Sequence, residues 1–226
     1  MILTNGDHEV CYLHIPRTGG RYVANLLVAN GYDYTKDFPG SGYRTIHYKG
    51  KELLHLDLSE ERDIASTCNR DLPEKRFTVI RNPIDRFVSF GKMYESYIRL
   101  LGMTWQDMEN PTNFQEVMEK IGFIGGREGQ VQELFFGFRG MGNNACTDQR
   151  NFIDDTVKVW KFEDGLGKPF VEWLNDEIGL SVKQVKVEYK TRSFDTGKIE
   201  ISNKVIQNLE RYFKDEIEFF GYYLKF

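Results

Sequence analysis

The chain has little of what extracellular stapling, membrane insertion or non-specific nucleic-acid binding would need. There are 3 cysteines in 226 residues, and Cys11, Cys68 and Cys146 stand far apart with no C-x-x-C pair. They cannot all pair with one another, so they predict buried thiols in a reducing compartment rather than a disulfide framework. No run approaches the ~18 apolar residues of a transmembrane helix. The opening Met1 to His8 has neither a basic n-region nor an apolar h-region. The expectation is a soluble, cytoplasmic chain with no membrane segment. Positive charge is not in excess either, with Lys+Arg 30 against Asp+Glu 34 and a net charge of -4. That balance argues against nucleic acid and membrane surfaces as partners and requires any anionic ligand to be held by a local cluster of cations. Prolines number 6, and no proline-rich linker, internal repeat or low-complexity tract divides the sequence. With 40% hydrophobic and 14% aromatic residues, the length suits one α/β domain over residues 1–226.

The stretch Cys11-Tyr-Leu-His-Ile-Pro-Arg-Thr-Gly-Gly-Arg21 organises the rest. The apolar run Val10 to Ile15 predicts a buried strand, closed by Pro16, which cannot donate to a ladder. Gly19 and Gly20 permit a tight turn and close backbone approach to a ligand, and Arg17 and Arg21 bring positive charge to it. Val23, Leu26 and Leu27 at helical spacing predict a helix from Tyr22 to Asn30, with Gly31 as its stop. A strand, a glycine turn and a helix N-terminus aim N–H groups and a positive dipole end at one point, which suits a phosphate or sulfate. The bland alternative is an ordinary βα turn with solvated arginines. No G-x-x-x-x-G-K-[ST] is present, so the loop does not read as an ATP·Mg site.

Further along, Tyr43 to His47 predicts a short strand that places His47 near a strand end, where open α/β sheets display catalytic groups. His55 follows eight residues later, and Ser59 to Asp63 reads as a solvated helix start. Arg76 to Ile80 predicts a second buried strand. It leads into a helix with Asn82 as N-cap, Pro83 at N1 and Asp85 at N3. Arg81 sits at that corner and Ser89 two turns into the helix. The pair reaches one ligand only if the ligand lies along the helix start; otherwise Arg81 and Arg86 pair with Asp85 and Ser89 packs.

Thr112 predicts a cap, with Gln115 at N3 and Gly122 as the stop. Residues 130–136 read as a helix, and the glycine and asparagine loop 137–148 as a lid, an acceptor loop or a plain connection. Val157 to Phe162 predicts a third strand, followed by a helix with Pro169 in its first turn and Gly179 as its stop. Gln184 to Tyr189 reads as a half-exposed strand or extended loop, next to a basic cluster, Lys190, Arg192 and Ser193. One last helix, capped by Ser202, carries Val205, Leu209, Phe213 and Ile217.

Two of these motifs together resemble a known family. His14-Ile-Pro-Arg-Thr-Gly-Gly20 resembles the 5′-phosphosulfate loop of PAPS-dependent sulfotransferases, and Arg81-Asn-Pro-Ile-Asp-Arg-Phe-Val-Ser89 resembles their 3′-phosphate motif. The stretches Val159 to Asp164 and Leu209 to Tyr222 are similar to the strand-and-turn and C-terminal helix of the carbohydrate branch, which includes heparan sulfate 2-O-sulfotransferases. The resemblance covers about two thirds of the chain. It implies a P-loop-like parallel β-sheet flanked by helices, PAPS as cosubstrate, no metal, and a small-molecule or glycan acceptor. It also implies that Arg17, Thr18, Gly19 and Gly20 hold the 5′-phosphate and sulfonate and that Arg81 and Ser89 hold the 3′-phosphate, with Arg21 either adding a further cation to the phosphosulfate or pointing toward an acidic acceptor. Lys190, Arg192 and Ser193 would lie in a loop closing over the nucleotide. His47 aligns with the catalytic histidine of the 2-O-type branch, with Glu52 and His55 as the alternative bases. The family usually carries Lys where this chain has Arg17, and Thr or Ser where it has Arg21. Arg17 stays protonated and acts only electrostatically. A P-loop kinase of a small molecule or nucleotide, and a catalytically inactive PAP-binding module, are the rival expectations.

Overall fold

A computed structural model of the chain describes residues 1–6, 8–34, 47–48, 51–52, 56–93, 104–124, 147–186 and 201–222. They fall into two compact units, Met1–Arg81 with Gln149–Tyr189 and Asn82–Asp148 with Lys190–Phe226.

The strands of the first unit are β1 (Ile2–Asn5), β2 (His8–Leu13), β3 (Asp33–Tyr34), β4 (His47–Tyr48), β5 (Lys51–Glu52), β6 (Arg76–Ile80) and β7 (Lys158–Lys161). Five of them form one sheet in the order β3-β1-β2-β6-β7, and β4 and β5 pair separately. β2, β6 and β7 are parallel, as the expected strand-turn-helix units require. β1 is antiparallel to both β2 and β3, so the sheet is mixed and the expectation of a parallel sheet is corrected. The cause is local: Gly6 at φ 62 turns the chain straight back, setting Ile2 opposite Cys11, and so short a connection can join only antiparallel strands.

Along β2 the side chains alternate between faces. Val10 and Tyr12 join Leu3, Phe77 and Val79 in one core, with Tyr12 stacked on Phe77 at 4.9 Å. Two helices cover this face. α1 (Gly20–Ala29) contributes Val23, Leu26 and Leu27, ends at Asn30 and stops at Gly31 with φ 82. A later helix, Lys168–Asp176, carries Pro169 in its first turn and contributes Phe170 and Leu174. Each such fully buried side chain contributes about 1.5–3 kcal/mol. Cys11 points to the opposite face and is fully buried, and that burial pushes its thiol up to about 12. Cys68 is half-buried, and Cys146 lies outside the described residues.

Between β5 and β6 runs α2 (Leu58–Thr67), which starts on a capping box of Asp57 and Glu60. Glu61, expected in a solvated helix start, is instead buried and ion-paired with the Met1 amine. Beyond Lys161 the third strand gives way to a 3-10 turn, Phe162–Asp164. Residues 184–186 belong to no strand, and 187–189 lie outside the described residues.

The second unit holds α3 (Pro83–Met93), a 3-10 helix Trp105–Glu109, α4 (Pro111–Ile124), α6 (Asn203–Tyr212) and α7 (Lys214–Phe219), with α5 being Lys168–Asp176 of the first unit. α4 begins earlier than Thr112. Asn110 is the capping residue, its Oδ1 accepting from the Thr112 amide at 2.9 Å, with Pro111 at the favoured first position. The helix also runs past Gly122 to Ile124, since one interior glycine costs only about 1 kcal/mol. Ser202 caps α6 as expected, but the single last helix breaks at Phe213, which closes α6 and opens α7. Phe87, Phe114, Leu209, Phe213 and Ile217 form this unit's core. Arg86 is turned inward with 0% exposure, donating to the Thr147 carbonyl at 2.6 Å and lying 3.9 Å from Glu216. Among the described residues no helix is long and apolar enough to cross a membrane.

Candidate functional site

Two strand-to-helix corners of the sheet carry the residues singled out by the sequence. At the first, β2 ends at Leu13 and the chain passes through His14, Ile15 and Pro16 into a turn. Arg17 there has φ 70 and Gly19 φ 88. A left-handed conformation at a non-glycine residue costs roughly 1–2 kcal/mol, so packing must hold Arg17 in place. Thr18 supplies part of that hold. It is fully buried and its Oγ1 donates to the Ile15 carbonyl at 2.7 Å. With its hydroxyl proton committed there, Thr18 offers a ligand its backbone amide.

The N-terminus of α1 is left open. Gly19 caps it with no side-chain bond, and the first turn contains no acidic residue. The amide N–H groups of Thr18, Gly19 and Gly20 have no acceptor among the described residues. Such orphan donors at the positive end of a helix dipole complement an anion. Gly19 is dictated by the turn as well as by close packing, and Gly20 by close packing. A Cβ on Gly19 would meet Leu166 Cδ1 at 2.5 Å and Phe162 Cε2 at 3.0 Å, and one on Gly20 would meet His14 Nε2 at 1.8 Å. His14 is 9% exposed and stacks on Tyr12 at 5.7 Å. The column Phe77, Tyr12, His14 therefore supports the loop from beneath. Burial pushes the Tyr12 phenol up, with the neighbouring Thr18 hydroxyl opposing that shift.

At the second corner β6 ends at Ile80, and Arg81 follows, half-buried. Its Nη1 donates to the Arg17 carbonyl at 3.3 Å, and its guanidinium carbon lies 4.7 Å from the Phe162 ring centroid. Parallel pairing of β2 with β6 thus brings Arg17 and Arg81 together across a separation of 64 residues. The backbone of Arg81 is held by Gln149, whose Oε1 accepts from the Arg81 amide at 3.0 Å and whose Nε2 donates to the Arg81 carbonyl at 2.8 Å. Asn82 Oδ1 then accepts from the amides of Ile84 at 3.0 Å and Asp85 at 3.3 Å, and Asp85 lies in the first turn of α3. Ser89 sits half-buried on α3 in the second unit.

Of the other expected residues, Arg21 is exposed in the first turn of α1. His47 lies on β4, where its backbone is the register partner of Glu52 in the antiparallel β4–β5 pair. His55, Lys190, Arg192 and Ser193 lie outside the described residues, as do the expected helix 130–136 and most of the loop 137–148. Among the described residues no three His, Cys, Asp or Glu side chains are grouped as metal ligands would be.

Four contributors escaped the sequence reading. His14 belongs to the first motif, and its alternation with Tyr12 along β2 was the available signal. Phe162 and Leu166 follow the third strand, where the signal was the expected sheet neighbour of β6. Gln149 has no local signal at all, being 68 residues from its partner.

Comparison with curated proteins gave no match, and comparison with solved structures gave none. The sequence model of the sulfotransferase family matches residues 1–223, a span that runs through both units, and the chain belongs to the sulfotransferase family.

Proposed function

We propose that this protein moves the sulfonate group of PAPS to an acceptor hydroxyl, with a carbohydrate as the acceptor class. The observation that carries the proposal is the meeting of Arg17 and Arg81 beside the open N-terminus of α1. The loop fits a 5′-phosphosulfate. It presents three amide donors without acceptors among the described residues, an arginine, and two glycines whose Cβ positions are filled by neighbours. A sulfonate donor supplies a good leaving group, and this chain's residues bind it, neutralise it and remove a proton. In the proposed step His47 takes the acceptor proton as the acceptor oxygen bonds to sulfur. The bond from sulfur to the bridging oxygen breaks, and its electron pair stays on the 5′-phosphate, where Arg17 and the loop amides stabilise it.

The finer assignments rest on the sequence resemblance. These are the heparan sulfate 2-O-like branch, His47 over Glu52 and His55 as base, Ser89 with Arg81 on the 3′-phosphate, and Lys190, Arg192 and Ser193 over the nucleotide. The test is thermal shift and calorimetry with PAP, and then transfer of labelled sulfonate from PAPS to a panel of glycans, phenols, steroids and amines. PAP binding with transfer to a glycan is the expected result. Stabilisation by ADP with Mg²⁺ in place of PAP would replace this reading with the kinase one. A second reading, a PAP-binding module without transfer, is favoured by Arg17 standing where the family usually has lysine; tight PAP binding with no transfer to any acceptor would establish it.

A further inference from the structure

We infer that Gln149 is a positioning residue for recognition of the 3′-phosphate, acting through Arg81. The inference rests on the proposal that Arg81 binds that group. Arg81 is the first residue past the end of β6, where the parallel ladder no longer defines its backbone. Gln149 takes over that task. Its amide accepts from the Arg81 N–H at 3.0 Å and donates to the Arg81 carbonyl at 2.8 Å, which is the pair of bonds a neighbouring strand would make. The side chain is 0% exposed, and Phe152 at the other end of the same 3-10 helix is 1% exposed, so the amide is held on a packed element rather than a loose one.

The backbone direction at Arg81 sets where its guanidinium can go, and its contacts there include the Arg17 carbonyl at 3.3 Å and the Phe162 ring at 4.7 Å. A guanidinium so placed is a planar fork suited to a phosphate. The chain leaves the first unit after Arg81 and re-enters it at Gln149. The amide clasp therefore joins the last residue before that segment to the first residue after it.

A role confined to folding would lower stability and weaken every nucleotide alike. A positioning role lowers the preference for ligands that carry the 3′-phosphate. Gln149→Met, close in size but unable to make either bond, is measured by calorimetry with PAP and with 5′-AMP, which differ by that phosphate. Wild type should prefer PAP. The variant should lose about tenfold in PAP affinity, equivalent to about 1.4 kcal/mol, and keep its affinity for 5′-AMP. Gln149→Glu, which still accepts from the Arg81 amide but lacks the donor, should fall between, and it serves if Gln149→Met does not fold. An unchanged ratio of the two affinities, or an equal loss for both ligands, overturns the inference and leaves the reading of Arg81 standing. Failure of both variants to fold also overturns it, assigning Gln149 to the fold. A wild type without preference for PAP removes the 3′-phosphate role of Arg81, and the inference with it.

Discussion

The two strand-to-helix corners use opposite solutions to the same problem. Every helix start exposes N–H groups with no intrahelical partner. At α3 Asn82 Oδ1 accepts from two of them, and an acidic residue, Asp85, stands in the first turn. At α1 the capping residue, Gly19, makes no side-chain bond and the first turn holds no acid. In the proposed function the first corner receives an external anion through its backbone. The second would serve the ligand through one side chain, Arg81, while Asn82 caps its own helix start.

That contrast is broken most severely by Gly20→Ala. The added Cβ would sit 1.8 Å from the imidazole of His14, so either the loop or the packed ring must move. Overpacking of this kind costs about 1–3 kcal/mol in stability, and displacement of the loop amides should cost at least ~100-fold in PAP affinity by calorimetry. Retained affinity would mean that the amides are not the receptor. His47→Ala separates binding from chemistry at both corners. Turnover should fall about 100-fold, as loss of a general base implies, with PAP affinity unchanged; undiminished turnover would shift the base to Glu52 or His55.

Arg81→Ala should weaken PAP binding by about 30-fold, the scale of one charge-assisted hydrogen-bonding group, and an unchanged dissociation constant would remove it from the site. The smallest effect is expected of Asn82→Ala. Losing that cap should lower stability by about 1 kcal/mol in chemical denaturation without altering PAP affinity. A parallel loss of affinity would show that the start of α3 also serves the ligand, and the contrast between the corners would collapse.

Much of each corner was legible because its determinants lie within a few residues of one another. Gly31 stops α1, Asn82 and Pro83 start α3, and Ser202 caps α6, each by backbone geometry or a bond within three or four positions. Where the structure departs from the sequence, the causes are equally local. The side chain of Thr112 suits a cap, yet Asn110 before Pro111 suits the role better. The apolar spacing of the last helix runs on through Phe213, where the backbone nevertheless breaks.

The sequence by itself determined which strand and helix flank each of the two motifs, the glycines of the loop, and the charges available to an anion. Only the tertiary structure decided that β6 lies between β2 and β7, which brings Arg81 to Arg17. It likewise decided that Phe162 covers both Gly19 and the guanidinium of Arg81, and that Gln149 holds the backbone of Arg81. The physical reason is range. Caps, turns and helical faces are governed by neighbours along the chain, whereas these contacts join residues far apart in sequence and exist only after parallel pairing has set β2, β6 and β7 side by side.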